Sequence, residues 1–217
     1  VLMAVRGVNV ISFSEPLQLI TSGAEYESLY AIWKYVHGFT VYADHTRIPF
    51  AGSFYNWLYY VFYGEITKWV LGALSLGDAW LPPVTRLITA TGMVYGTWIT
   101  ARLFLEFPAA GNDNLKRLGL AFALLIFFGP LMGFFGIATQ PDIWGFAFDV
   151  TAIYVFLRLY KRRPLMGICL FWLFAYLAWG FKQIFVFSTG TVGLFLLLRR
   201  DWKMLGVLIV LSVLAWG

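Results

Sequence analysis

From residue 83 onward, the sequence consists of long apolar runs that are separated by short polar breaks. A helix needs about 20 predominantly apolar residues to cross the hydrocarbon core of a bilayer. Over the whole chain 60% of the residues are hydrophobic and only 12% are charged, whereas soluble domains carry about 25% charged residues. The sequence therefore predicts an all-α membrane protein, a polytopic bundle of transmembrane helices. The predicted spans are about 83–107, 118–138, 143–160, 165–181, 183–198 and 204–217.

Basic residues recur in every second break between these runs, which indicates the orientation of the bundle. Cytoplasmic loops of membrane proteins carry an excess of Lys and Arg. The breaks that contain them are therefore predicted to be cytoplasmic, and those at 139–142 and 182–183 to lie on the outer, periplasmic side of a plasma (inner) membrane. The basic residues are Lys116 and Arg117, then Lys161, Arg162 and Arg163, then Arg199, Arg200 and Lys203.

This orientation places residues 1–82 on the outer side as a first outer loop. Within it we expect a short helix from Glu25 to His37, which Gly38 can end. Residues 50–74 are apolar and rich in Tyr and Trp, and we interpret them as an interfacial or re-entrant juxtamembrane helix. Because the sequence starts without Met and stops inside an apolar run, we also interpret it as an N-terminal fragment with a truncated helix at each end.

Lone charges near the outer surface are the candidate functional residues, because ionisable groups at membrane depth are costly to keep. Several have a structural alternative. Glu25 and Glu27 favour a helix N-terminus electrostatically, Asp142 can cap a helix, and Lys182 can reach the headgroups. Asp149 lies on the same helical face as Asp142 and can pair with a basic residue of a neighbouring span. The full set is Glu25, Glu27, Asp44, Arg47, Arg86, Asp142, Asp149 and Lys182.

Residues 23–33, Gly38 and residues 41–44 resemble the first outer loop of GT-C fold glycosyltransferases. The most similar groups are the dolichyl-phosphate-mannose–protein mannosyltransferase-like and aminoarabinose-transferase-like enzymes. In these enzymes an Asp-Glu or Glu-Gly pair precedes a short helix, followed by a G-x-x-Y-x-D turn and a Pro-led aromatic segment along the membrane. Residues 48–60 resemble that segment.

Three later stretches fit the same family. Residues 77–87 resemble its entry to the next span, residues 139–142 its A-R-P-D outer loop, and residues 181–183 its K-Q tip. The chain departs from the pattern where Ala24 replaces the usual Asp, Gln140 the usual Arg and Asn56 a frequent Pro.

The resemblance implies transfer of a sugar from a polyprenyl-phosphate donor to a lipid, glycan or protein acceptor, with inversion at the anomeric carbon. Glu25 is then the general base, with Asp142 as a second acid, and the aromatic segment lines the groove for the prenyl chain. Metal use stays open, since a carboxylate pair could hold one divalent ion. The implied substrate-binding residues are Lys182, Arg86, Arg47, Glu27, Tyr42 and Asp44.

Under this interpretation, Glu25→Gln should abolish transfer and leave folding largely intact, and Lys182→Ala should raise the donor KM. The alternatives are a secondary transporter or a non-catalytic lipid-binding membrane protein. Transporters tend to place their charges near the midplane on repeated halves, whereas here most charges lie at one surface.

The sequence has no HExxH, Walker or CxxC motif, and it predicts no nucleic-acid partner.

Overall fold

The computed structural model describes residues 24–42, 53–107, 113–129 and 138–216, together with Val8 and Ser12. All regular structure in these ranges is helical, which confirms the predicted all-α class. The helices are α1 Ala24–Val36, α2 Trp57–Ala73, a 3₁₀ helix Asp78–Trp80, α3 Leu81–Glu106, α4 Asp113–Phe128, α5 Asp142–Leu159, α6 Pro164–Phe181, α7 Phe187–Leu198 and α8 Trp202–Trp216.

Local sequence signals explain where several of these helices begin and end. Pro82, Pro83 and Pro164 lie in the first turns of α3 and α6, where a missing N–H costs nothing. Helix α1 ends in a Schellman motif: Gly38 has φ +77°, its N–H donates to Tyr35 O, and Phe39 N–H donates to Lys34 O.

One helix in the described ranges, α6, is long and apolar enough by length and composition to cross a membrane. The shorter helices α7 and α8 are also apolar. Helix α7 has 12 residues, because the turn that follows Lys182 extends to Val186 rather than ending near residue 183. Helix α5 is long but carries three charged side chains, and the charged and threonine side chains of α3 lower its mean hydropathy. The polytopic arrangement therefore stays a prediction.

Helix α5 lies at the centre of the packing, against α6 along much of its length and against α3 on another side. Close approach of α3 and α4 depends on small residues: Gly96 faces the Phe127 ring, and Gly119 faces Phe104. A second apolar cluster joins α5, α6, α7 and α8 around Phe156.

Helices α1 and α2 pack at one end of this bundle. Asn56 Nδ2 donates to Trp179 O near the end of α6, and the Phe62 ring contacts Trp144 in the first turn of α5. We call this end, with the starts of α1, α3 and α5 and the last turn of α6, the carboxylate end. The opposite end, with the α5–α6 and α7–α8 turns, is called the basic end.

Candidate active site

Glu25 and Arg86 form a buried ion pair at the carboxylate end. Arg86 Nε donates to Glu25 Oε1 at 2.9 Å, and Arg86 Nη2 donates to Oε2 at 2.9 Å. Both side chains are fully buried. The backbone N–H of Thr139 also donates to Glu25 Oε1, at 2.9 Å.

This pairing changes the interpretation of both residues. The sequence predicts that Glu25 contacts an acceptor and that Arg86 contacts a phosphate, but in the structure they contact each other. A bidentate arginine pair is strong and geometrically specific, and separating two desolvated charges is costly. The carboxylate is therefore engaged on both oxygens, and through Thr139 it fixes the turn that leads into α5.

Asp142 and Lys182 form a second ion pair, and this one is partly accessible. Lys182 Nζ lies 2.7 Å from Asp142 Oδ1, with side-chain exposures of 27% and 15%. The second carboxylate oxygen, Asp142 Oδ2, is buried and has no hydrogen-bond partner among the residues that the structure describes. Asp142 therefore has one oxygen without a hydrogen-bond partner among the described residues, whereas both oxygens of Glu25 accept hydrogen bonds.

Two residues that the sequence analysis did not select, Tyr55 and Gln140, connect the pairs. Tyr55 O–H donates to Gln140 Oε1 at 2.6 Å, and Lys182 Nζ lies 5.7 Å from the centre of the Tyr55 ring. Gln140 is fully buried, and in the described ranges its Nε2 has no hydrogen-bond partner. The site thus combines an unsatisfied donor, Gln140 Nε2, with an unsatisfied acceptor, Asp142 Oδ2.

Helix α2 and the residues just before it supply a row of tyrosines that holds this region. Tyr59 O–H donates to Thr139 O at 3.1 Å, and Tyr63 O–H lies 2.9 Å from Thr89 Oγ1 and 3.3 Å from Gln140 O. Tyr55, Tyr59 and Tyr63 recur at every fourth position, and within α2 this spacing places Tyr59 and Tyr63 on one helix face. That spacing was the available sequence signal for their shared role.

The expectation that the aromatic segment lines a groove holds for neither Tyr59 nor Tyr63, whereas Phe54 and Trp57 of the same segment are exposed. Tyr59 and Tyr63 are completely buried against the bundle. An apolar groove of about 470 Å³ lies instead along α3, and it is lined by Leu87, Ala90, Thr91, Val94, Tyr95 and Trp98.

The remaining predicted residues have mixed outcomes. Tyr42 O–H donates to Tyr55 O at 2.7 Å, so it supports the segment that carries Tyr55. Glu27 is half-buried, and its charge acts on Tyr60. Arg47 and Asp44 lie outside the described residues.

Among the described residues, Asp149 forms no ion pair with a basic residue, which one alternative predicts. It accepts a hydrogen bond from Ser188 Oγ of α7. No group of three or more His, Cys, Asp or Glu side chains suited to a metal ion occurs in the part of the chain that the structure describes. Glu25 and Asp142 each face their own cation, so they do not form a ready-made carboxylate pair for a divalent ion.

Burial of the site also affects the tyrosines at its edge. Desolvation, with a smaller effect from the charge of Asp142, raises the pKa of Tyr55 to about 12. Desolvation likewise raises the pKa of Tyr42 to about 12. Both hydroxyls therefore stay protonated and act as hydrogen-bond donors throughout the physiological pH range.

Comparison of the chain with protein-family models, curated proteins and solved structures finds no match.

Proposed function

We propose that this chain carries the catalytic end of a GT-C-type membrane glycosyltransferase. Such an enzyme moves a sugar from a polyprenyl-phosphate donor to an acceptor at the non-cytoplasmic face. The observation that carries the proposal is the Asp142–Lys182 pair, in which a partly accessible cation lies beside a carboxylate with one unused oxygen.

The membrane placement is supported by the distribution of charge over the two ends of the bundle. Helix α3 has 26 residues and α5 and α6 have 18 each, which at 1.5 Å per residue gives roughly 39, 27 and 27 Å. These lengths are close to the roughly 30 Å of a hydrocarbon core. The Lys- and Arg-rich turns lie at the end opposite Asp142, as expected for a cytoplasmic face.

The proposed reaction uses the two members of the pair for different tasks. Asp142 Oδ2 accepts the proton of the acceptor hydroxyl while the acceptor oxygen bonds to the anomeric carbon. The bond from that carbon to the phosphate oxygen breaks, and its electron pair leaves with the phosphate. Lys182 stabilises the charge on the departing lipid phosphate. A single displacement inverts the anomeric configuration.

Glu25 and Arg86 take a positioning role in this proposal. Their ion pair holds the backbone of Thr139, three residues before Asp142, so it fixes the direction in which Asp142 enters the site. The Gln140 Nε2 group, which is buried and has no hydrogen-bond partner among the described residues, is the proposed donor to a sugar hydroxyl. The apolar groove on α3 begins at Leu87, next to Arg86 in sequence, and offers a path for the prenyl chain.

The test is the transfer of radiolabelled sugar from a set of polyprenyl-phosphate donors by purified protein. Asp142→Asn should lower kcat by about 10²–10⁴-fold, as expected for loss of a general base. Lys182→Ala should mainly raise the donor KM. Asp149→Asn is the matched control, because it removes a carboxylate two turns deeper on the same helix and should keep near wild-type activity.

Thermal unfolding of each variant in detergent separates chemistry from folding. Full activity of a folded Asp142→Asn protein would remove Asp142 from the base role. Absence of transfer by the wild-type protein with every donor and acceptor class would favour the transporter or lipid-binding alternatives.

A further inference from the structure

The basic end contains a cleft of about 610 Å³ between the α5–α6 turn and the α7–α8 turn. It is lined by Tyr160, Lys161, Pro164, Arg199, Arg200 and Asp201. None of these residues belongs to the candidate active site, which lies at the other end of the bundle.

The one acidic residue of the cleft is already engaged in structural contacts. Asp201 Oδ2 accepts a hydrogen bond from Tyr160 O–H, and Asp201 Oδ1 accepts one from Met204 N–H at the start of α8. Asp201 thereby ties the end of α5 to the α7–α8 turn and caps α8.

Asp201 does not form an ion pair with any of the three basic residues of the cleft. Within the described ranges no ion pair includes Lys161, Arg199 or Arg200, and all three are exposed. The Arg199 guanidinium lies over the Phe195 ring at 5.6 Å, a contact that leaves its N–H groups free to bind an anion.

Arg200 adopts a left-handed backbone conformation that is unfavourable for residues other than glycine. Its φ is +57°, and it takes the glycine position of a Schellman motif, with Arg200 N–H donating to Leu197 O and Asp201 N–H to Leu196 O. At the equivalent position α1 has Gly38. An arginine therefore points from a strained turn into a cleft that already carries two other cations.

We propose that this cleft binds the phosphomonoester group of an anionic membrane lipid or of a small phosphate compound. Arginine forks suit phosphate oxygens, and basic pockets at the cytoplasmic ends of membrane helices bind anionic headgroups. The inference rests on the membrane placement of the proposed function but not on sugar transfer.

Native mass spectrometry of the detergent-solubilised chain tests the site with dioleoyl phosphatidate as the probe and dioleoyl phosphatidylcholine as the neutral comparison. The wild-type protein should retain phosphatidate preferentially. Arg200→Asn should weaken phosphatidate binding by about fivefold, the effect of one basic side chain near an anionic headgroup. Asparagine tolerates the left-handed conformation, so this variant should keep or raise the wild-type thermal midpoint.

The matched control is Arg117→Asn, which removes an exposed basic residue from the start of α4, outside the lining of the cleft and with the same predicted orientation. It should leave phosphatidate affinity unchanged. Equal weakening by Arg117→Asn and Arg200→Asn would overturn the proposal in favour of diffuse attraction, and so would equal retention of the two lipids by the wild-type protein.

Competition with inorganic phosphate separates the two sources of the ligand. Displacement of phosphatidate by millimolar phosphate supports a site for small phosphate compounds, and resistance to displacement supports a lipid site. Because the assay measures no sugar transfer, loss of activity in Asp142→Asn and loss of phosphatidate binding in Arg200→Asn remain independent results.

Discussion

The two ends of the bundle hold their charges in opposite ways. At the carboxylate end, charges are paired across helices: Glu25 with Arg86 in a fully buried contact, and Asp142 with Lys182 in a partly exposed one. At the basic end, the cations of the cleft remain exposed, and the acid beside them is occupied by a tyrosine and a backbone amide.

The difference shows that the role of a charged residue depends on how deeply it is buried. A desolvated pair such as Glu25–Arg86 is costly to break and is suited to fixing a backbone. The pair that is partly exposed can exchange its contacts for those of a ligand, and exposed cations act through their field on anions nearby. The same residue types therefore stabilise the fold, form the candidate active site and line the candidate anion-binding cleft within one chain.

The largest effect on stability should come from breaking the buried pair. Glu25→Gln leaves the Arg86 guanidinium buried without a counter-charge, which should cost about 3–5 kcal/mol of folding free energy. Unfolding of the purified variant in detergent measures it. This expectation replaces the one made from sequence, in which Glu25→Gln leaves folding largely intact.

A double variant distinguishes a positioning role of Glu25 from a role as general base. Glu25→Leu combined with Arg86→Met removes both charges and should recover most of the stability lost by either change alone. If Glu25→Gln unfolds at the wild-type midpoint and only transfer is lost, Glu25 is the base after all and the positioning role is wrong.

Tight packing of α1 on α2 at the carboxylate end predicts a smaller effect. A Cβ at Gly64 would lie 2.3 Å from Tyr35 Cδ1, whereas a Cβ at Gly72 of the same helix has open space. Gly64→Ala should therefore destabilise by about 1–3 kcal/mol through overpacking. Gly72→Ala should stabilise by about 0.5–1 kcal/mol through helix propensity. Equal effects of the two changes would show that α1 is not seated on α2.

These contacts show which parts of the molecule the sequence predicts well. Helices α1, α3, α5 and α6 lie close to the predicted segments because apolar runs, prolines and Gly38 act locally. The ion pairs depend on tertiary packing instead. Glu25 and Arg86 are separated by 61 positions, and nothing in their residue types distinguishes a contact with each other from a contact with a ligand.

The location of the candidate site was predictable from the sequence, but the roles of its individual residues were not. The expectation that Asp142 and Lys182 share one end follows from alternating loops, and the structure brings the two together. The sequence gives no sign that Asp142 keeps an unused oxygen or that Gln140 is buried with an unused N–H. Both depend on tertiary packing around the turn that leads into α5, where Tyr55, Tyr59 and Tyr63 contact residues 139 and 140.

A matched pair of turns compares the two ends directly. Ser75 after α2 has φ +53°, and Arg200 after α7 has φ +57°. Ser75→Gly and Arg200→Gly should each stabilise by about 1 kcal/mol, since glycine adopts this conformation without steric cost. Only Arg200→Gly should also weaken phosphatidate binding. Loss of stability in either variant would mean that its side chain contributes more than the strained backbone costs.

The effect with the narrowest range of conditions is an alkaline loosening of the carboxylate end, which is absent at neutral pH. Burial raises the pKa of Tyr42 and Tyr55 from 10.0 to about 12 in the folded chain. Between pH 10 and about 12 the unfolded chain has released these protons while the folded chain still holds them, so the free energy of unfolding falls as pH rises. The full contribution is present below pH 10 and is lost through pH 12.

Tyr42→Phe separates this titration from other alkaline effects. The variant loses the hydrogen bond to Tyr55 O and should be less stable at neutral pH. It should nevertheless lose stability less steeply than the wild-type chain above pH 10, because one of the two titrating hydroxyls is gone. Unfolding midpoints from pH 8 to 12 measure the two slopes. Identical slopes would mean that the Tyr42 hydroxyl is solvated in the folded state, and the tyrosine contacts around Tyr55 would then be looser than the structure shows.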